Sequence, residues 1–148
     1  MNKVILLVED NPDDEELAVL AFERSRIAND LAIVRDGQEA LDYLFCEGAH
    51  AGRDPRVMPQ VVLLDLKLPR LDGMAVLRRL RADARTTRLP VVVLTSSTEE
   101  EDLVRSYDLG ANSYVRKPVD FSRFSEVIVQ LQMYWLVLNE PPPPGGAS

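Results

Sequence analysis

The sequence contains little of what several common protein classes depend on. Its 148 residues include one cysteine, Cys46, so an internal disulfide and a cysteine-based metal site are both excluded. The one histidine, His50, has no neighbouring ligand types and is interpreted as a solvated loop residue rather than a metal ligand. No stretch reaches the roughly 18 consecutive apolar residues of a membrane span, and the apolar run after Lys3 is too short for a signal peptide. We therefore expect a cytoplasmic protein.

Positive charge is also scarce. The formal net charge is −7 and the isoelectric point is about 4.7. Nonspecific binding to nucleic acid or to an anionic membrane surface requires positive potential, so neither DNA nor a membrane is an expected partner. With 46% hydrophobic and 28% charged residues, the composition is that of an ordinary soluble globular protein with one domain.

What the sequence does contain is four short, mainly apolar runs and one more polar strand candidate, each followed by a segment with helical spacing or a loop. The clearest run, residues 61–64, is apolar throughout, as expected for a strand that is covered on both faces. Regular alternation of strands and helices predicts an α/β fold, with a five-stranded parallel sheet and helices on both faces. The other apolar runs are residues 4–8, 31–34 and 91–95, and the more polar fifth strand is residues 112–115.

Helix boundaries are indicated by capping residues. Asn11 is a favoured N-cap and Pro12 a favoured first helical residue. Thr98 and Glu101 have the spacing of a capping box before the fourth helix. The helices predicted with both bounds cover residues 12–26, 72–83 and 121–138.

The end of the sequence is rich in proline and glycine. We predict one domain over residues 1–138 and a disordered tail over residues 139–148. The tail is too short to be a DNA-binding or catalytic domain.

Chemically active residue types stand where the predicted strands end. Glu9 and Asp10 follow the first strand, Asp65 follows the third, Thr95 ends the fourth and Lys117 follows the fifth. In a flavodoxin-like order, 2-1-3-4-5, the first and third strands are neighbours, and ligands bind at the carboxyl edge of such a sheet. This order would bring the three carboxylates together.

Such a group of residues suits a phosphoryl group. Crowded carboxylates repel one another, and a hard cation such as Mg²⁺, which prefers oxygen ligands, relieves the repulsion. An ammonium ion and a hydroxyl would neutralise and bind phosphoryl oxygens, and a carboxylate can act as the nucleophile that forms an acyl phosphate. Each residue alone has an ordinary explanation, such as a helix cap or a solvated loop. Their occurrence together at matching positions favours the functional interpretation.

Further short motifs accompany these residues along the sequence. Together they are Glu9-Asp10, Asp65, Pro69, Asp72-Gly73, Thr95-Ser96, Gly110-Ala111, Tyr114 and Lys117-Pro118. With them, the sequence resembles the response-regulator receiver domains of bacterial two-component signalling over about residues 3–138. The family implies the flavodoxin-like fold, with five helices in two layers around the sheet, and a sensor histidine kinase as partner.

The resemblance implies a role for each matching residue in the site. Asp65 would accept the phosphoryl group, and Lys117 would pair with the phosphoryl oxygens. Asp10, Asp65 and the backbone carbonyl of Lys67 would bind Mg²⁺, and Glu9 would assist, often through water.

The resemblance also implies a switch. Thr95 would move to the phosphoryl group and Tyr114 would change rotamer to fill the space. The peptide bond between Lys117 and Pro118 is expected to be cis.

Four features are similar to the regulators that work with bacterial phytochrome kinases. They are a longer loop over residues 47–60, an extended last helix, Leu68-Pro69 and residues 93–97. A phytochrome-type histidine kinase is therefore an expected partner.

The expected function is a phosphorylation-dependent binding switch without enzymatic turnover beyond self-phosphorylation from small donors and slow autodephosphorylation. Alternatives are a phosphorelay shuttle to another histidine protein and a constitutive scaffold. A flavodoxin-type redox protein would need a Ser/Thr/Gly-rich phosphate loop where residues 9–12 are acidic. A haloacid-dehalogenase-like phosphatase would need an aspartate where Lys67 stands.

The last helix carries more large apolar residues than one sheet face requires. Their spacing extends beyond a single stripe, so some should face outward. We expect a homodimer through the face of the fifth strand and the last helix, strengthened by phosphorylation, with Tyr134, Trp135 and Leu138 as its centre. The alternatives are that Trp135 and Leu138 fold back onto the domain or dock the kinase. The apolar residues are Phe121, Phe124, Val127, Ile128, Leu131, Tyr134, Trp135 and Leu138.

Overall fold

The computed structural model describes residues 3–143 and contains the predicted parallel sheet. Its strand order is β2-β1-β3-β4-β5, so the flavodoxin-like doubly wound topology is confirmed. The strands are β1 Val4–Val8, β2 Asp30–Val34, β3 Val61–Leu64, β4 Val91–Thr95 and β5 Ser113–Arg116.

Five α-helices cover the two faces of this sheet, and the resulting three layers are those that were predicted. The last helix continues as a π-helix over Met133–Leu138, and a short 3₁₀ turn follows the second helix at Gly48–His50. No helix among the described residues is long and apolar enough to cross a membrane. The helices are α1 Pro12–Arg24, α2 Gly37–Phe45, α3 Gly73–Ala82, α4 Glu100–Asp108 and α5 Phe121–Gln132.

The strands divide their side chains between two cores because successive residues of a strand point to opposite faces. In β1, Leu6 and Val8 join the core beneath α2 and α3, whereas Ile5 and Leu7 join the core beneath α1 and α5. β1, β3 and β4 are buried almost throughout. Double coverage explains the apolar runs of these three strands, whereas the edge strands β2 and β5 are mostly half-buried.

The predicted cap of α1 is confirmed, but the predicted capping box of α4 is wrong. The side chain of Asn11 accepts hydrogen bonds from the backbone N–H groups of Asp13 and Asp14. Helix α4 begins at Glu100, and its cap residue Glu99 makes no side-chain capping bond. Because α4 begins later than the box requires, Thr98 stays exposed outside it.

The π-helix corrects the predicted orientation of Trp135. Trp135 and Leu136 are only 8% and 3% exposed and pack into the core beneath α1 and α5, whereas Tyr134 and Leu138 are 50% and 67% exposed. The backbone N–H of Asn139 donates to the carbonyl of Tyr134, an i→i+5 bond that widens the turn. Trp135 therefore belongs to the core of its own chain.

Beyond Leu138 the described chain has no helix or strand. Pro141–Pro143 line a cavity of about 230 Å³ together with residues before β3 and β4, including Met58 and Leu89. Residues 144–148 of the predicted tail lie outside the described part of the chain.

Gly73→Ala is expected to destabilise the fold near Asp65. A Cβ atom at position 73 would lie 2.3 Å from the Asp65 carbonyl oxygen and 2.7 Å from the Leu66 Cα. Both are backbone atoms, so the strain should cost about 1–3 kcal/mol, or roughly 2–4 °C in Tm for each kcal/mol. Thermal unfolding measures the loss. Gly52→Ala is the matched control because no heavy atom lies within 4 Å of its Cβ position, and equal Tm values for the two variants would contradict the argument.

Candidate functional site

The carboxyl edge of the sheet brings the predicted carboxylates together. β1 and β3 are adjacent and in register, with Val8 opposite Leu64, so the residues that follow them are neighbours. Glu9 and Asp65 are buried and Asp10 is exposed. Oxygen atoms of these three carboxylates all lie within 4.8 Å of one another.

Lys117 places a buried ammonium ion among the carboxylates. Its backbone N–H donates to the Thr95 carbonyl at 2.8 Å, which fixes the loop after β5 beside β4. Its Nζ lies 2.8 Å from Asp65 Oδ2 and 2.5 Å from Glu9 Oε1. One ammonium ion therefore pairs with both buried acids, and its side chain is only 8% exposed.

Asp14 is a third partner of Lys117 that the sequence analysis missed. Its Oδ2 lies 2.9 Å from Lys117 Nζ. Asp14 lies in the first turn of α1, where acids are common because they complement the helix dipole. The sequence did contain an indication of this contact. Helix α1 starts shortly after Glu9-Asp10, so its first turn, with Asp14, must lie near the carboxyl edge of the sheet.

The shared geometry shifts the pKa of both buried partners. Burial raises the pKa of Glu9 to about 7, although the hydrogen bond and charge of Lys117 oppose the shift. Burial alone would lower the pKa of Lys117, but its hydrogen bonds to Asp65, Glu9 and Asp14 outweigh burial and raise the pKa above its ordinary value. Lys117 is therefore a permanent cation.

Thr95 already contacts Asp65. Its fully buried Oγ1 donates to Asp65 Oδ1 at 3.0 Å. The backbone N–H of Lys67 also donates to Oδ1, at 3.3 Å, while the Lys67 side chain is exposed. The carboxylate of Asp65 is thus held by a hydroxyl, an ammonium ion and a backbone amide.

The structure shows where Tyr114 lies and decides one expectation, the cis peptide bond. Tyr114 packs against the core beneath α2 and α3, and its buried hydroxyl has no hydrogen-bond partner. The described chain contains no cis peptide bond, so the expected cis bond between Lys117 and Pro118 is wrong. For an X–Pro bond the two isomers differ by only about 0.5–1 kcal/mol, so the local sequence did not decide between them.

The donor set fits a divalent cation. Glu9, Asp14 and Asp65 pair with the one ammonium ion of Lys117, and the Asp10 carboxylate lies beside those of Glu9 and Asp65, so negative charge is in excess even with Lys117 in place. Hard divalent cations bind carboxylate oxygens and relieve such an excess. Asp10 is the exposed member and faces the solvent from which an ion would enter.

The sequence matches the response regulator receiver domain over residues 5–129. The chain belongs to this family. As a receiver domain of two-component signalling, it has the expected arrangement of acids, threonine and lysine around one aspartate.

Two curated relatives have nearly the same length as this receiver domain. The probable methanogenesis regulatory protein FilR2 of Methanothrix harundinacea is 43% identical over 95% of this chain and 88% of the relative. The response regulator Rcp1 of Synechocystis is 38% identical over 90% of this chain and 89% of the relative. Both are regulators by name.

Solved structures extend the similarity to the fold. The phosphorylated cyanobacterial phytochrome response regulator RcpA is 38% identical, with a TM-score of 0.89, over 97% of this chain and 100% of that one. The bacteriophytochrome response regulator RtBRR is 52% identical, with a TM-score of 0.77, over 97% of this chain and 86% of that one. The Mn²⁺-bound form of Rcp1 is 35% identical, with a TM-score of 0.86, over 95% of this chain and 99% of that one.

Raising the pH in metal-free buffer is expected to destabilise the receiver domain through Glu9. Its pKa rises from 4.5 to about 7 on folding, so its contribution to stability is fully present below pH 4.5 and is lost as the pH rises through 7. Glutamine at position 9 cannot ionise, so in Glu9→Gln the dependence of Tm on pH should be flatter over this range. The variant should also have a higher Tm than the wild type at about pH 8. Thermal unfolding in EDTA across this range tests the expectation. Glu23→Gln, an exposed change, serves as control, and an unaltered slope in Glu9→Gln would contradict it.

Proposed function

We propose that this receiver domain is a phosphorylation switch in which Asp65 accepts a phosphoryl group from a histidine kinase. The observation that carries the proposal is the buried contact of Asp65 with both Thr95 and Lys117. A hydroxyl and an ammonium ion at the same carboxylate are the groups needed to bind the oxygens of an incoming phosphoryl group.

In the proposed reaction the chain accepts one phosphoryl group and does not act as an enzyme on a separate substrate. A carboxylate oxygen of Asp65 attacks the phosphorus of a phosphohistidine, and the P–N bond breaks with its electron pair returning to the imidazole, which takes up a proton. Lys117 neutralises charge on the transferred oxygens and Thr95 donates its hydroxyl to one of them. Asp10, Asp65 and the backbone carbonyl of Lys67, with help from Glu9, would hold Mg²⁺, which would supply further charge neutralisation. Self-phosphorylation from small donors and slow autodephosphorylation are the only reactions expected of the chain itself.

The kinase partner that we propose is of the phytochrome class. The similarity to RcpA and RtBRR, which are phytochrome and bacteriophytochrome response regulators by title, supports this choice. The long segment between α2 and β3 and the extension of α5 through the π-helix are present in the structure. The change that phosphorylation produces would be read by another protein in the cytoplasm.

A homodimer through the α5 extension is the surface that we propose for assembly. The described surface of this region has large apolar residues that are at least 40% exposed, and aromatic and aliphatic side chains are favoured at interface cores. Trp135 supports the surface from within rather than lining it. The exposed residues are Val129, Met133, Tyr134, Val137 and Leu138.

Asp65→Asn is expected to abolish labelling by acetyl phosphate. The variant should gain no mass, because the asparagine amide is not a nucleophile. The wild type should gain one phosphoryl group by intact-mass measurement in the presence of Mg²⁺. It should gain none in EDTA, because the excess negative charge at the site needs a cation. Asp108→Asn, which changes an exposed carboxylate on α4, should label as the wild type does. Stoichiometric labelling of Asp65→Asn would rule out Asp65 as the sole acceptor.

Tyr134→Ala combined with Leu138→Ala is expected to weaken the dimer. Sedimentation velocity at about 100 μM detects self-association stronger than roughly 5.5 kcal/mol, and phosphorylation should strengthen it in the wild type. Val119→Ala removes a fully exposed apolar side chain outside the surface and should have no effect. A wild type that is monomeric at this concentration with and without phosphorylation would remove the proposed dimer.

A further inference from the structure

A continuous series of hydrogen bonds runs from Asp65 into the loop after β4. Thr95 Oγ1 donates to Asp65 Oδ1 at 3.0 Å and accepts from the backbone N–H of Ser97 at 3.3 Å. Thr95 is fully buried, so no solvent competes for these bonds. A displacement of the Thr95 hydroxyl therefore pulls directly on the backbone at Ser97.

Ser97 continues the series into α4. Its hydroxyl donates to Asp102 Oδ2 at 2.6 Å and accepts from the backbone N–H of Glu99 at 3.2 Å. Ser97 is 4% exposed, and a short bond from a hydroxyl to a carboxylate is among the stronger hydrogen bonds in proteins. One hydroxyl thus joins the loop to the first turn of α4.

Helix α4 has few other attachments. Its cap residue makes no side-chain capping bond, and Ser106 is its only buried residue. Ser106 Oγ donates to the Asp102 carbonyl at 2.7 Å and lies 3.8 Å from Met74 Sδ on α3. Because little apolar surface is buried under α4, polar contacts at its start carry an unusual share of its positioning.

We infer that Ser97 and Asp102 form a latch that transmits the state of Asp65 to helix α4. The inference rests on the proposed phosphorylation of Asp65. When Thr95 exchanges the carboxylate oxygen for a phosphoryl oxygen, its hydroxyl moves, the Ser97 amide follows, and the Ser97–Asp102 bond is altered. Ser97 is a positioning residue, because its hydrogen bonds join it to Thr95, Glu99 and Asp102 and not to Asp65 or Lys117.

The flanking residues supply matched controls within the same loop and helix. Ser96 and Thr98 carry the same functional group as Ser97 but are exposed. Glu101 carries a carboxylate in the same helical turn as Asp102 and is exposed. Their removal changes composition and charge in the same way without breaking the latch.

The experiment is hydrogen–deuterium exchange of α4 in the full chain, with and without phosphorylation by acetyl phosphate and Mg²⁺. Intact mass measures the labelled fraction in every sample, and exchange is compared at equal labelling. In the wild type, phosphorylation should change exchange in α4 peptides by about threefold or more. In Ser97→Ala and in Asp102→Ala this response should be largely lost, whereas Ser96→Ala and Glu101→Ala should respond as the wild type does.

Two further variants distinguish loss of the Ser97–Asp102 bond from general loss of structure in α4. Ser97→Thr retains the hydroxyl and should restore the α4 response. The double variant Ser97→Ala with Asp102→Ala should show no greater loss than either single variant, because both remove the same bond.

Each contrary outcome has a definite meaning. A full α4 response in both Ser97→Ala and Asp102→Ala would overturn the latch, as would an equal loss in the Ser96→Ala and Glu101→Ala controls. A wild type that gains no phosphoryl group at Asp65 would overturn the proposed function itself, and the intact-mass arm reports that failure separately.

Discussion

The buried ammonium ion of Lys117 is the interaction on which the rest of the site depends. The parallel topology puts the ends of β1 and β3 side by side, so Glu9 and Asp65 meet in an interior that would otherwise leave two carboxylates unpaired. Removing the partner of a buried charge costs about 3–5 kcal/mol. Lys117 reaches both acids because its backbone is hydrogen-bonded to Thr95 at the end of β4. The fold tolerates buried carboxylates at this edge because the residue after β5, Lys117, places a positive charge beside them.

The compensation by Lys117 is incomplete. The ammonium ion pairs with the carboxylates of Glu9, Asp14 and Asp65, and a fourth carboxylate, that of Asp10, lies beside those of Glu9 and Asp65. The raised pKa of Glu9, about 7, is a consequence of its burial in this crowded setting. An edge with residual negative charge attracts a divalent cation, and the family relative Rcp1 has been crystallised with Mn²⁺. A phosphoryl group adds further negative charge to this edge, and a bound divalent cation offsets that charge. Metal binding and phosphoryl acceptance are therefore linked electrostatically.

One face of the sheet is covered by a well-packed core, whereas helix α4 on the other face buries little of its surface. α1, α5 and the π-helix cover one face of the sheet with a continuous core that includes Trp135. Helix α3 buries five of its residues, whereas α4 buries only Ser106. Elements with few buried apolar contacts are the ones that open or shift at low cost in free energy. The lightly held helix is also the one joined by hydrogen bonds to Thr95 at the site.

The sequence by itself determined the architecture and most of the site. Short apolar runs that alternate with helical spacing predict the strands, their parallel arrangement and the edge at which Glu9, Asp10, Asp65, Thr95 and Lys117 meet. The cap at Asn11 followed from its own side-chain chemistry. Only the tertiary structure decided that Asp14 joins Lys117, that Ser97 rather than Thr98 holds the start of α4, and that Trp135 turns inward on a π-helix. These features depend on where a helix begins within one or two residues and on whether a turn closes by an i→i+5 bond. Such choices are settled by the packing of distant segments, which local composition does not encode.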